Sequence, residues 1–144
     1  MSVDSKRFSG GCLCGAVRYE VEAEPQMMGD CYCLDCRKSS GTAHCSQIGV
    51  PAAATKITGT TSHFDKPADS GNVVTRHFCP TCGSALYSTN SGMTGLLFLR
   101  ASSLDDPEVY RPMMTVCTSR APSWAHIEVT APASACGLAS CIEA

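Results

Sequence analysis

The sequence predicts an all-β fold of packed antiparallel sheets, and three observations predict it. Residues 16 to 23 alternate strictly, many short β-prone runs lie between turn residues, and 12 glycines with 8 prolines break up any long helical pattern. In the alternating stretch Val17, Tyr19 and Val21 face one way and Arg18, Glu20 and Glu22 the other, the signature of a half-buried strand. Further strands are expected at 43–49, 55–60, 73–78, 84–89, 95–100, 113–118 and 124–130, separated by Gly, Pro, Asn and Asp. One short helix is expected from Asp35 to Gly41, with Asp35 as its cap and Gly41 ending it in a left-handed conformation. Trp124 is expected in the core or at its edge.

Length and charge narrow the function. The 144 residues are read as a single domain, 1–144, with a loosely attached tail at 131–144. A net charge of -2 and a pI of 6.0 offer no basic patch, which argues against nucleic acid as a partner. No apolar run approaches the roughly 18 residues of a membrane span. Met1 to Arg7 lacks the apolar centre of an export signal, so a cytoplasmic setting with reduced thiols is expected.

The cysteines carry the chemistry. Seven of the 11 form three clusters: Cys12 and Cys14, then Cys31, Cys33 and Cys36, then Cys79 and Cys82. Spacings of one or two residues let neighbouring thiolates converge on one metal, for which zinc, with Zn–S about 2.3 Å, is the default. Seven ligands divide into four and three. Four thiolates close a tetrahedral structural site; three leave a position for water or substrate. In Cys79-Pro80-Thr81-Cys82-Gly83 the proline fixes φ for a tight zinc knuckle and Gly83 lets the chain bend back. A knuckle supplies two ligands. Cys12 and Cys14 are the natural second pair, although spacing alone also allows Cys31 and Cys33. Pairing Cys14 with Cys79 would close a loop of about 65 residues.

In the central cluster, Cys31 and Cys33 lie on one side of extended chain, and Cys36 arrives from the first helical turn, where a thiolate is favoured. Three thiolates around Zn²⁺ leave a net charge near -1, which suits holding a substrate thiolate better than making hydroxide. His44 or Cys45 as a fourth ligand would instead close the site.

Three ordered segments resemble one family. Gly10-Gly11-Cys12-Leu13-Cys14-Gly15, Cys31-x-Cys33-x-x-Cys36-Arg37-Lys38-Ser39-Ser40-Gly41 and Arg76-His77-Phe78-Cys79-Pro80-x-Cys82-Gly83-Ser84 are similar to the glutathione-dependent formaldehyde-activating family, which shares its domain with centromere protein V. Ala101 to Pro107 and Ser123-Trp124 also fit, so the likeness spans roughly 8 to 130. It implies a fold shared with a Rab-associated zinc chaperone and methionine-R-sulfoxide reductases, and two zinc ions per chain. One would be structural, on Cys12, Cys14, Cys79 and Cys82; the other catalytic, on Cys31, Cys33 and Cys36. The implied activity is that of a carbon–sulfur lyase joining glutathione and formaldehyde into S-hydroxymethylglutathione. Zinc would hold the glutathione sulfur near the carbonyl carbon.

Tyr32 departs from the family, which usually carries histidine there. A phenol with a pKa of about 10 shuttles protons less well at neutral pH, or the residue only packs. Glutathione's two carboxylates call for cations, and Arg37, Lys38, Arg76, Arg100 and Arg120 are the inventory. Arg37 and Lys38 adjoin the central cluster and are the nominated substrate contacts. Two other functions compete: a non-enzymatic zinc module that binds a protein partner, and a methionine-R-sulfoxide reductase using Cys117. Cys45, Cys117, Cys136 and Cys141 lie outside the motifs.

Overall fold

The computed structural model describes residues 7–127. Its strands are β1 (Arg7–Gly11), β2 (Arg18–Glu22), β3 (Met27–Cys31), β4 (Cys45–Pro51), β5 (Thr55–Thr58), β6 (Ser62–Pro67), β7 (Val73–Phe78), β8 (Ala85–Asn90), β9 (Leu96–Arg100) and β10 (Met114–Val116). A helix, α1 (Leu34–Ser40), joins β3 to β4. One sheet has the order β1-β2-β5 and the other β10-β3-β4-β9-β8-β7-β6. The all-β reading holds, with one correction: β10 runs parallel to β3, pairing Val116 with Cys31, so the larger sheet is mixed. Strands β1, β3 and β6 were not expected. Residues 124–127 form no strand, and the rest of that expected strand, like the tail, Cys136 and Cys141, lies outside the described residues. Trp124 is 62% exposed, not at the core edge. No helix among the described residues is long and apolar enough to cross a membrane.

Alternation sorts the core into two layers. Val17, just before β2, and Tyr19 and Val21 on its inward face are at most 2% exposed and pack with Ile48, Val50, Leu86, Leu97 and Leu99 of the larger sheet. Burying each such aliphatic side chain contributes about 1.5–3 kcal/mol. On the opposite face of β4 and β9 lie Cys45, Gln47 and Phe98, and here α1 packs against β4. Cys31, Tyr32, Cys36, Ala43 and Cys117 complete that second layer. One layer thus joins the sheets; the other seats the central cysteines.

Asp105 clamps the chain after β9 to the smaller sheet. Ser9 Oγ donates to its Oδ2 at 2.7 Å, and Arg18 Nη1 donates to its Oδ1 at 2.9 Å. The Arg18 hydrogen bond, helped by Ser9, holds the carboxyl down at about 2, against an ordinary 3.8. A depressed carboxylate stabilises the fold above its unfolded pKa and loses that contribution only as pH falls toward the folded value. With both side chains 45% exposed, solvent screening reduces the contribution to about 1 kcal/mol. Asp105→Asn is therefore expected to lower stability by about 1 kcal/mol in urea unfolding, equally at pH 7 and pH 5. A difference that fades within that window would contradict the assignment.

Candidate metal centres

The four-cysteine cluster forms where two tight turns meet. Cys12 and Cys14 follow β1, and Cys79 and Cys82 follow β7. Gly83 N–H donates to Cys79 O at 2.8 Å, Cys79 N–H to Ser84 O at 3.0 Å, and Leu13 N–H crosses to Ser84 Oγ at 3.0 Å. All four sulfurs lie within 4.8 Å of one another, with Cys12–Cys14 at 3.6 Å and Cys14–Cys79 at 3.7 Å. A tetrahedron with Zn–S about 2.3 Å has S–S edges of about 3.8 Å, so the donor set fits zinc.

Backbone donors prepare the sulfurs for negative charge. Val17 N–H points at Cys12 Sγ at 3.2 Å and lowers that thiol's pKa despite burial. The Ser84 hydroxyl, then its amide, brings Cys82 down to about 5. Cys14 moves the other way: the Ala16 amide favours its thiolate, but burial and the thiols of Cys12, Cys79 and Cys82 push it up to about 11. Four sulfurs this close do not all ionise without a cation between them.

The three-cysteine cluster is built by the turn from β3 into α1. Cys31 ends β3, Cys33 caps the helix, and Cys36 lies in its first turn. Cys33 Sγ accepts from Cys36 N–H at 3.3 Å, a correction to the expected Asp35 cap. Asp35 instead accepts from Lys66 Nζ at 2.9 Å, tying α1 to β6. Gly41 closes the helix at φ 83°, as expected. The three sulfurs lie within 4.8 Å of one another, and neither His44 nor Cys45 joins them. Cys31 and Cys36 are buried, while Cys33 is partly exposed, so the cluster has a closed side and an open one.

The closed side holds a residue that motif reading missed. Gln47 is fully buried, and its Nε2 donates to Cys36 Sγ at 3.4 Å while Oε1 is buried with no partner. Its sequence signal was a lone amide two residues after Cys45, on the same face of β4. A neutral donor on a thiolate holds its charge and orientation, and outer-shell contacts of this kind are worth about 10–100-fold in metal affinity. Gln47→Leu is expected to weaken metal binding at this cluster by about 10-fold or more in competition with a chromophoric chelator. It should leave the four-cysteine cluster unchanged.

His44 is engaged elsewhere. Its ring lies 5.0 Å from that of Tyr32, and its Nε2 is 3.8 Å from Asp30 Oδ1. Asp30 also accepts from Ser46 Oγ at 2.7 Å and from the Tyr110 hydroxyl. Tyr32 is 2% exposed, and burial, with Asp30 nearby, raises its pKa above the ordinary value. Its phenol stays protonated and packs. Cys117, the cysteine the competing reductase reading would use, is buried and disulfide-bonded. Arg37 and Lys38 fall in the last turn of α1, with Lys38 exposed. Two cavities adjoin this layer. One, of about 300 Å³, is lined by Thr42, His44, Cys45, Arg100 and Tyr110 among others. The second, of about 260 Å³, includes Phe64, Arg76, Tyr87 and again Arg100. Neither Arg37 nor Lys38 lines either cavity.

Fold and site define a class: a β-sheet protein with two all-cysteine clusters able to hold metal ions. Comparison with known proteins narrows it. Residues 7–120 match the model of the family described as "Glutathione-dependent formaldehyde-activating enzyme", and the chain belongs to that family. A relative from Halomonas elongata, named "Putative glutathione-dependent formaldehyde-activating enzyme", is 32% identical over 128 residues, covering 84% of this chain and 81% of that protein. A crystal structure of a Rhodobacter sphaeroides protein shares the fold at a TM-score of 0.56 and 20% identity. The match covers 69% of this chain and 92% of that one.

Proposed function

We propose that the chain is a carbon–sulfur lyase that joins glutathione and formaldehyde reversibly into S-hydroxymethylglutathione, with two zinc ions per chain. Cys31, Cys33 and Cys36 hold the catalytic zinc, and Cys12, Cys14, Cys79 and Cys82 the structural one. The observation that carries this reading is the three-thiol cluster, which takes in no fourth His, Cys, Asp or Glu among the described residues and opens at Cys33. Zinc bound there would supply a cation that keeps a substrate thiol ionised at neutral pH.

The chain's own residues do the rest. Buried Cys31 and Cys36 close the inner side of the cluster to water, and the Gln47 amide holds the Cys36 sulfur in place. The open side at Cys33 admits the substrate. In the forward direction the glutathione sulfur bonds to the carbonyl carbon, the C=O π bond breaks onto oxygen, and that oxygen takes up the proton the thiol lost. Holding the two reactants together removes much of the entropic barrier. NMR exchange between formaldehyde and S-hydroxymethylglutathione tests this reading. Exchange should quicken with metal-loaded protein, and its failure to do so at high protein concentration would remove formaldehyde as the substrate.

A further inference from the structure

We propose that Cys117 is joined by its disulfide to Cys136 or Cys141, and that this bond straps the C-terminal segment across the three-cysteine layer until a small thiol releases it. Such a strap governs access to the cluster whatever reaction the cluster performs.

The second sulfur of the bond follows by elimination. A disulfide takes two cysteines, and the chain has 11. Cys117 is disulfide-bonded, whereas Cys45 and the seven cysteines of the motifs are in no disulfide. Cys136 and Cys141 are the two that remain.

Register places Cys117 at the wall of the cluster. Val116 on β10 pairs with Cys31 on β3, and its carbonyl accepts from Tyr32 N–H at 3.1 Å. Cys117 is the next residue, fully buried in one layer with Cys31, Cys36 and Cys45. Paired strands lie about 4.8 Å apart, and residues joined by a disulfide have Cα atoms within about 7 Å of each other. The bonded tail cysteine is therefore held within roughly 12 Å of Tyr32, the residue between two of the cluster's cysteines.

Backbone and chain path agree. Cys117 has φ 59° and ψ 37°, and among the described residues it is the one non-glycine residue in the left-handed region. Glycine adopts that conformation at least cost, so a cysteine held there marks a side chain with a task. Beyond Cys117 the chain stays on the layer, against which Ala121, Ala125 and Ile127 pack. Ile127 is the last described residue, so the segment that carries Cys136 and Cys141 departs from the layer itself. Residues 129–142 carry no charged side chain and include Val129, Leu138 and Ile142. A stretch of that composition gains more against an apolar layer than in water.

Release is thiol–disulfide exchange. With Cys117 fully buried, the thiolate of a small thiol attacks the tail sulfur, the S–S bond breaks, and Cys117 leaves with the electron pair and takes up a proton. A second small thiol resolves the mixed disulfide. The products are two protein thiols and one small-molecule disulfide, so the protein is reduced by two electrons and the small thiols are oxidised by two.

Trypsin cuts at Arg120, which puts Cys117 in peptide 101–120 and both tail cysteines in peptide 121–144. Mass spectrometry of the unreduced full chain should find these peptides as one species that separates on reduction. Two separate peptides, or Cys117 linked to another cysteine, would overturn the proposal. Strapping is read as the rate at which zinc passes to a chromophoric chelator, counting only the equivalent that Cys33→Ser lacks. A strap that leaves the site open at most about 10% of the time slows this transfer about 10-fold or more. Phosphine reduction of the wild type should restore the faster rate. So should the double substitution Cys136→Ser with Cys141→Ser, which leaves Cys117 and its layer in place, and phosphine should then have no further effect. Where that zinc equivalent is absent, the rate of Cys33 alkylation by iodoacetamide gives the same comparison. Equal rates with the bond intact and broken would confine the disulfide to a structural role and sink the strap.

Discussion

Cys82→Ser is expected to unfold the protein, and so is prolonged treatment with a strong chelator. The proposed structural zinc joins chain segments far apart in sequence: Cys14 and Cys79, 65 positions apart, have sulfurs 3.7 Å from each other. The cluster is also continuous with the core between the sheets, since Cys12 and Cys79 pack with Val17, Leu86 and Leu99. Structural zinc contributes about 10–16 kcal/mol in small peptides, and whole domains are stable by about 5–15 kcal/mol. Losing one thiolate therefore removes an amount comparable to the total. Serine keeps nearly the size of cysteine and its polar contact with Ser84, so any loss reflects ligand chemistry rather than a cavity. Cys82 is also the thiol that Ser84 brings lowest, to about 5, and hence the one best prepared to bind metal at neutral pH. Circular dichroism with metal analysis reads the result. A Cys82→Ser protein that melts within a few degrees of the wild type would sink the structural role.

What the sequence disclosed, and what it hid, follows from the range over which each signal acts. Strand β2 was legible because period-2 alternation is local, and Val17, Tyr19 and Val21 are buried as that pattern requires. The cysteine clusters were legible because chelation fixes short spacings. Strand β1 was hidden by its glycines, whose cause is tertiary: a Cβ on Gly10 would lie 2.3 Å from the Tyr19 hydroxyl. Strand β6 was hidden because it is an edge strand with five of its six residues exposed, leaving little pattern to read. The parallel pairing of β10 with β3 joins residues 85 positions apart, such as Val116 and Cys31, and no local propensity encodes it. Cys33 as a helix cap was missed for a chemical reason, since thiols are not among the usual capping groups and Asp35 is. Gln47 became visible only once the fold set its amide against Cys36 Sγ.

Cys33 also yields the most discriminating variant, because it serves two roles that serine separates. As an N-cap its sulfur accepts from the Cys36 amide, and serine, among the best capping residues, preserves that contact. As a proposed zinc ligand it supplies a thiolate, and a serine hydroxyl does not ionise near neutral pH. Cys33→Ser should therefore fall from two zinc equivalents to one and return formaldehyde exchange to the uncatalysed rate. Its melting temperature should stay within a few degrees of the wild type, because the four-cysteine cluster is intact. Cys31 and Cys36 tolerate the loss as buried thiols, which behave as small apolar groups. Cys33→Ala removes the cap as well, and should cost about a further 1 kcal/mol, or about 3 °C for a chain of this length. A Cys33→Ser protein that keeps two zinc ions would show that a ligand outside the three cysteines completes the site. One that unfolds would make the second zinc structural, and the reading would pass from enzyme to binding module.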